Sequence, residues 1–348
     1  MELQKRIDTF AKLGLELKKI TSDSSDFVSN KTAQLKELIE DSKHYNPWFT
    51  SMNVQFCLEN WGDALTEENL HCWLKKYSFP ETNTRKKVGI IMAGNIPMVG
   101  FHDFISVLLT GHQAIVKLSS LDNKLLPAIF EILTDIDPAL SDQVVFTNGL
   151  MKEADAFIAT GSNNSARYFD FYFQKYPHII RRHRNSVAVL TGEETTEYLK
   201  KLGEDIFRYF GLGCRNISKL FVPENYDFNL LIEILSEWRY LDDHHKYHNN
   251  FDYNKAIALV NRDEFIDGGF FILKPNAMLS SPVSVIHYEY YQDWRHVQKE
   301  LYAHAESIQC VASCNDDIPF AIPFGKAQKP DLWDYADGID AIHFLLNI

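Results

Sequence analysis

Lys87-Val88-Gly89-Ile90-Ile91-Met92-Ala93-Gly94-Asn95 is the stretch whose reading decides the fold. Residues 88–93 are a short, continuous apolar run ended by a turn-forming pair, the pattern of a strand buried on both faces of a parallel sheet. Working forward, a helical segment over 98–109 leads through Thr110-Gly111-His112 to a second strand, Ala114-Ile115-Val116-Lys117. A helix over 125–133 leads to Val144-Val145-Phe146, and a further short helix leads to Ala156-Phe157-Ile158-Ala159. The loop Thr160-Gly161-Ser162-Asn163-Asn164-Ser165 and a helix over 166–173 follow. Strand and helix alternate roughly every 25 residues, which predicts a doubly wound α/β sheet. Ligands of such sheets sit beyond the carboxyl ends of the strands. Asn95, Lys117 and the Gly161-Ser162 loop fall at such ends, where a dinucleotide would lie. The G-x-G-x-x-G fingerprint is missing, because Gly94-Asn95-Ile96-Pro97-Met98-Val99-Gly100 has two glycines at the wrong spacing with a proline between them. A standard Rossmann dehydrogenase is disfavoured, and a nucleotide must be held another way.

Upstream, residues 1–80 read as a helical layer. Leu3, Ile7, Phe10, Leu13, Leu17 and Ile20 make one apolar stripe, and Leu35, Leu38 and Ile39 begin another. Asn46-Pro47-Trp48-Phe49 interrupts them, and Thr66-Glu67-Glu68 supplies a cap and first-turn acids for a helix carrying Leu70, Trp73 and Leu74. Nothing in this layer points to chemistry. Composition agrees with an ordinary globular protein: 348 residues exceed one small core and suit two linked domains. A formal net charge of −12 argues against a nucleic-acid partner. There is no charged-then-apolar leader and no apolar run of bilayer length, which predicts a cytoplasmic protein without a membrane span. Five scattered cysteines, Cys57, Cys72, Cys214, Cys310 and Cys314, include no CxxC pair and read as reduced thiols.

Downstream, a strand over 186–192 and a helix over 193–210 deliver the chain to Phe210-Gly211-Leu212-Gly213-Cys214-Arg215-Asn216-Ile217-Ser218 and a further strand, Lys219-Leu220-Phe221-Val222-Pro223. A thiol on a tight turn between helix and strand suits a nucleophile, since the thiolate is the attacking species and the turn sets its exposure. The alternative is the usual fate of a free cysteine, a small buried hydrophobe. A helix over 228–238, strands at Phe270-Phe271-Ile272-Leu273 and Val283-Ser284-Val285-Ile286, and a helix over 294–302 follow.

Four segments in this order resemble the aldehyde dehydrogenase superfamily: Gly94-Asn95-Ile96-Pro97, the run 111–119 containing Lys117 and Ser119, Ala159-Thr160-Gly161-Ser162, and Gly211-Leu212-Gly213-Cys214. Pro323-Phe324-Gly325 is similar to that superfamily's late P-F-G segment. Within it, the residues around Cys214 and the following Lys219-Leu220-Phe221-Val222-Pro223 resemble the LuxC-type acyl-CoA reductases, which make fatty aldehyde. The likeness spans roughly residues 85–345, and several weak motifs in the right order are together specific. It implies an aldehyde dehydrogenase-like α/β fold, with a doubly wound nucleotide-binding sheet and a second α/β catalytic domain. The corresponding division is 1–84 as helical layer, 85–185 as nucleotide-binding domain, 186–322 as catalytic domain, and 323–348 as a return and oligomerisation strand.

The resemblance makes Cys214 the acyl-accepting nucleophile and gives Asn95 the side-chain amide that cradles the oxyanion, a donor typically worth roughly 3–4 kcal/mol. It places Lys117 and Ser119 at the adenosine ribose, Gly161 and Ser162 beside the pyrophosphate and nicotinamide, and Phe324 near the nicotinamide. Departures sharpen the reading. Hydrolytic members carry a glutamate base 34 residues before the cysteine, and here that position is Ile180. Hydrolysis of an acyl-enzyme needs a positioned base, so transfer to CoA or reduction by hydride becomes the expected chemistry. Ser120 stands where NAD-preferring members often carry a glutamate, which leans the cofactor to NADPH, with NADH as the alternative. Met278-Leu279-Ser280-Ser281-Pro282 stands where the family has E-x-F-G-P and has lost the glutamate, so the nicotinamide-ribose contact is unassigned.

The implied reaction is reduction of a fatty acyl-CoA to aldehyde through a Cys214 thioester. Three rivals stand beside it: an acyl-AMP or an acyl-transferring partner protein as donor, a non-catalytic subunit with the same fold, and a cysteine transferase without redox chemistry. The resemblance also implies a homo-oligomer, with Ala341-Ile342-His343-Phe344-Leu345-Leu346 as its strand. His244 and His248 are spaced for one helical face but lack a third ligand, so a solvated helix end is expected and no metal. Arg181-Arg182-His183-Arg184 suits phosphate or a surface turn, and Asn163, Asn164 and Arg167 are equally open. The other four cysteines read as packing residues.

Overall fold

The computed structural model describes residues 2–22, 30–80, 84–315, 317–318 and 320–348. The chain divides into two compact units, residues 1–182 with 331–348, and residues 183–330. Residues 323–330 thus go with the second unit, and the returning segment begins at Asp331.

Unit 1 opens with the helical layer. Helix α1 (Leu3–Thr21) buries Ile7, Phe10, Leu13, Leu17 and Ile20, the stripe expected from their spacing. Helices α2 (Asn30–Tyr45), α3 (Ser51–Ala64) and α4 (Glu67–Leu74) follow; Thr66 caps α4 by accepting from the Asn69 N–H, and Leu70, Trp73 and Leu74 face inward. The sheet begins at β1 (Lys87–Ile91) and continues through α5 (Phe101–Leu109), β2 (Gln113–Lys117), α6 (Leu125–Ile136), β3 (Val144–Phe146), β4 (Ala156–Thr160), α7 (Asn163–Phe173) and β5 (His178–Arg181). Its order is β3-β2-β1-β4-β5, every pair parallel, so the chain winds outward from β1 in both directions as a doubly wound sheet must. Helices α1 and α2 pack on α6. The segment 147–155 is a turn and not the expected short helix.

The tail corrects an expectation. Residues 341–346 form a helix, α12 (Ala341–Leu346), and not a strand. Asp340 caps it by accepting from the His343 N–H, and Ala341, Ile342 and Leu345, one helical face, are buried. It packs on α5, and the buried His112 ring secures it, with Nδ1 accepting from the Lys86 N–H (3.1 Å) and Nε2 donating to the Leu345 carbonyl (2.8 Å).

Unit 2 runs β6 (Asn185–Val189), α8 (Thr196–Phe207), β7 (Ile217–Pro223), α9 (Phe228–Leu235), α10 (His245–Asn261), β8 (Ile266–Asp267), β9 (Ile272–Pro275), β10 (Val285–Tyr291), α11 (Trp294–Ala303), β11 (Ile308–Ser313) and β12 (Ala321–Ile322). The sheet order is β12-β11-β6-β7-β10-β9-β8, parallel apart from the β8–β9 pair. On one face Val187, Val189, Phe221, Val297, Ile308 and Val311 form a continuous apolar cluster. Lys219, 1% exposed in β7, is tolerated because its ammonium meets Glu289 of neighbouring β10 (2.5 Å) and the Ala277 carbonyl (2.8 Å).

Candidate active site

In unit 2 the site is built by the way α8 ends. Thr195 starts this helix by accepting from the Tyr198 N–H, and Leu199, Leu202 and Ile206 bury one face. Past Phe207 the chain enters the left-handed region for three successive residues, Tyr209 (φ 54°), Phe210 (φ 59°) and Gly211 (φ 74°). For Tyr209 and Phe210 this is costly, and both rings are buried, Phe210 lying 4.5 Å from His244. At Gly211 the requirement is the backbone angle rather than space, since a Cβ there would meet nothing nearer than the Ile206 carbonyl at 3.6 Å.

This bend places Cys214, half-buried, just ahead of β7. The Asn216 carboxamide holds both sides of the turn. Its Oδ1 accepts the Gly213 N–H (2.8 Å), and its Nδ2 donates to the carbonyls of Asp205 (3.2 Å), Ile206 (3.1 Å) and Arg208 (2.8 Å), the final carbonyls of the helix. The Ser186 hydroxyl, at the start of β6, donates to the Cys214 carbonyl at 2.9 Å. Arg215 Nε donates to the Ala327 carbonyl at 2.5 Å.

Asp205, fully buried on α8, ties in the segment that follows β12. It accepts from the Gly325 N–H (2.6 Å) and the Ala327 N–H (3.0 Å). Burial pushes its carboxyl up to about 7 despite those two donors. Phe324 is buried beside this link, its ring 6.4 Å from that of Tyr198. Neither Asn216 nor Asp205 was assigned a role from sequence; the one available signal was an acidic residue beside the apolar Ile206 and Phe207.

Of the remaining cysteines, Cys57 is buried as a packing residue is expected to be, whereas Cys72 is exposed and Cys310 and Cys314 are only half-buried. Cys314 faces Glu194 at 3.6 Å, and burial pushes its thiol pKa up. Glu194 itself accepts from the N–H groups of Thr191 and Gly192. That contact lies at the carboxyl edge of β6 and β11, the opposite end of the sheet from the Cys214 turn.

In unit 1, six residues singled out in the sequence meet at the carboxyl edge of three adjacent strands, β2, β1 and β4. Asn95, exposed, follows β1; Lys117 ends β2 and Ser119 and Ser120 follow it; Gly161 and Ser162 follow β4. A Cβ at Gly94 would stand 2.7 Å from Ser119 Oγ, and one at Gly161 would stand 2.9 Å from Ser165 Cβ, so glycine keeps both loops close against their neighbours. Ser162 caps α7, accepting from the Ser165 N–H at 3.3 Å. Lys117 is half-buried and makes no side-chain hydrogen bond or ion pair among the described residues. Asp122, the nearby carboxylate in sequence, turns inward to accept from the Met98 N–H (2.8 Å), and burial raises it to about 6. Asn46, read from sequence only as a break between helices, donates from Nδ2 to the carbonyls of Gly94 and Leu121 (3.3 Å each) and ties the helical layer to both loops.

Two phosphate candidates are already committed. Arg181 is buried and bidentate on Asp103 (2.9 and 2.6 Å) while donating to the Ala336 carbonyl (2.6 Å), and Arg182 is paired with Asp170 at 2.7 Å. Ile180, at the position of the absent base, is half-buried on β5. His244 caps α10, and His248 is paired with Asp242 and Asp252.

A profile of the acyl-CoA reductase (LuxC) family matches residues 23–237. The chain belongs to the acyl-CoA reductase (LuxC) family. Its fold is that of the aldehyde dehydrogenases. An oxidoreductase from Marinobacter aquaeolei superposes with a TM-score of 0.65 at 12% identity, over 91% of this chain and 74% of that one. An indole-3-acetaldehyde dehydrogenase mutant of P. syringae, in complex with NAD+ and IAA, gives 0.63 at 13% identity, over 94% and 75%. An aldehyde dehydrogenase from Bacillus cereus in complex with NAD+ gives 0.62 at 12%, over 91% and 73%. No curated protein sequence matches the chain. Family and fold together make this LuxC-family chain an oxidoreductase of aldehyde chemistry. No helix among its described residues is long and apolar enough to cross a membrane.

Proposed function

We propose that this chain reduces a fatty acyl-CoA to the aldehyde with NADPH, through a thioester on Cys214. The observation that carries the reading is the Cys214 turn, where Asn216, Ser186 and the left-handed bend hold one half-buried thiol at the amino edge of the sheet. The Cys214 thiolate attacks the acyl carbonyl carbon, a new C–S bond forms, and the bond to CoA breaks with CoA leaving as its thiolate. Asn95 donates to the oxyanion that develops on the carbonyl oxygen during that attack. With Ile180 in place of a carboxylate, no base at that position activates water against the acyl-enzyme, so the thioester survives until it is reduced. The nicotinamide, when bound, supplies the hydride. After reduction Cys214 is the leaving group: the C–S bond breaks as the aldehyde carbonyl forms, and the thiolate is restored.

The carboxyl edge of the unit 1 sheet fits a dinucleotide. Glycine at 94 and 161 lets its loops lie close against Ser119 and Ser165, and α7 presents its capped N-terminus, which favours phosphate. Lys117, Ser119 and Ser120 would hold the adenosine ribose, and Gly161 and Ser162 the pyrophosphate. Exposed Ser120, a Lys117 without a side-chain partner among the described residues, and an inward-turned Asp122 leave no outward carboxylate among these residues to repel a 2′-phosphate, which supports NADPH over NADH. Phe324 would shape the nicotinamide side.

The test is the Cys214→Ala protein. Aldehyde formation from dodecanoyl-CoA and NADPH is expected to fall at least a thousandfold while NADPH still quenches tryptophan fluorescence as in the unsubstituted protein. Retention of most of the turnover rejects the mechanism.

A further inference from the structure

The amino edge of the unit 2 sheet carries more than the Cys214 turn. Strands β12, β11, β6 and β7 are parallel neighbours, so the residues that open them lie side by side. Phe320 immediately precedes β12, Cys310 lies near the start of β11, Ser186 near the start of β6, and Cys214 shortly before β7. Hydrogen bonds join the last three. The Cys310 N–H and thiol both reach Ser186 Oγ (3.2 and 3.1 Å), and the Ser186 hydroxyl reaches the Cys214 carbonyl (2.9 Å). At the same edge lies a cavity of about 240 Å³, lined among others by Leu301 and Tyr302 of α11, by Ile308, Cys310 and Val311 of β11, and by Phe320. Its walls are mainly apolar, and Tyr302 and Phe320 at its rim are 62% and 89% exposed.

We infer that this cavity is the subsite for the acyl chain of the thioester carried by Cys214; the inference rests on the acyl-enzyme reading above. Strand β11 stands two strand spacings from β7, ~10 Å at ~4.8 Å per strand. A butyryl group anchored on Cys214 ends short of the cavity, whereas a dodecanoyl chain is long enough to pass half-buried Cys310 and enter it. Each methylene that enters is worth a factor of about four in binding, from the transfer energy of a buried methylene. Chain-length preference is therefore set by Leu301, Tyr302, Ala305 and Phe320 in unit 2, at the opposite edge of β11 from Cys314.

Cys310 supplies a readout independent of turnover. In Cys214→Ala protein, dodecanoyl-CoA is expected to slow iodoacetamide alkylation of Cys310, measured by peptide mass spectrometry, at least fivefold, with no protection by butyryl-CoA. In an Ala305→Trp protein, which places an indole in the cavity from an exposed position, the ratio of kcat/KM for dodecanoyl-CoA over butyryl-CoA is expected to fall at least tenfold. Equal protection by the two thioesters, or an unchanged ratio, overturns the subsite. The outcomes separate the two readings. Length-dependent protection of Cys310 without any acyl adduct on Cys214 of the unsubstituted protein upholds the cavity and sinks the thioester mechanism. An adduct on Cys214 without length-dependent protection sinks the cavity and leaves the mechanism standing.

Discussion

Asn216 shows how one side chain can fix the turn that carries the proposed nucleophile, Cys214. Its carboxamide oxygen takes the Gly213 N–H, and its amino group serves three carbonyls at the end of α8, all with the side chain 3% exposed. In Asn216→Ala these groups lose this bond, the Asp205 carbonyl keeping a second donor in Gln328 Nε2 (3.3 Å), and each buried group left unsatisfied costs roughly 1–3 kcal/mol. Thermal unfolding should show the loss, and single-turnover acylation of Cys214 should slow at least tenfold. Asn216→Asp is expected to be at least as damaging, because it keeps the acceptor for Gly213 but sets a carboxylate oxygen against three carbonyls; a protein as stable as the unsubstituted one would refute this account of the turn. Cys214 itself was legible from its neighbours, since glycines and polar residues between a helix pattern and a strand pattern mark a turn. The bond from Asn216 back to the helix was not. It exists because Tyr209 and Phe210 adopt left-handed angles that bulky residues rarely take, and no local propensity announces that.

Helix α8 links the cysteine turn to the segment after β12, and Asp205 is the link. Its carboxyl keeps its proton up to about pH 7 in the folded protein, against the ordinary value near 3.8. The folded state therefore binds more protons than the unfolded state between those values, and stability falls as pH rises through that window. Asp205→Asn cannot titrate, so the slope of denaturation midpoint against pH between 5 and 8 should flatten, with an overall loss because the amide can accept only one of the Gly325 and Ala327 N–H groups. An unchanged slope would show that Asp205 is ionised throughout. Elements with a clean apolar period, α1 above all, were readable in advance. Helix α10 was not, because its buried stripe, Tyr247, Phe251 and Ala258, is interrupted by Asn254 and Lys255 and masked by apolar residues that stay exposed, Tyr253, Leu259 and Val260. Strand β5 was missed for a similar reason: His178-Ile179-Ile180-Arg181 offers two apolar residues between a proline and an arginine run.

Across the molecule, the parts of unit 1 distant in sequence are joined by polar pairs that no pattern foretells. Arg181 of β5 is bidentate on Asp103 of α5 and donates to Ala336 in the returning segment, with both charged side chains almost fully buried. Asp103→Ala strands that guanidinium and should cost about 3–5 kcal/mol by chemical denaturation; a loss under 1 kcal/mol would mean the pair contributes little. The alternation of strand and helix made the doubly wound sheet legible, whereas the tail was misread as a strand because six apolar-rich residues carry no period long enough to tell strand from helix. The central claim is that Cys214 accepts the acyl group, and the most direct measurement is intact and peptide mass spectrometry of the protein mixed with dodecanoyl-CoA in the absence of NADPH. One dodecanoyl mass on the peptide holding Cys214, removed by hydroxylamine and absent from Cys214→Ala, is the expected result. An unmodified protein, or an adduct confined to another cysteine, would contradict it.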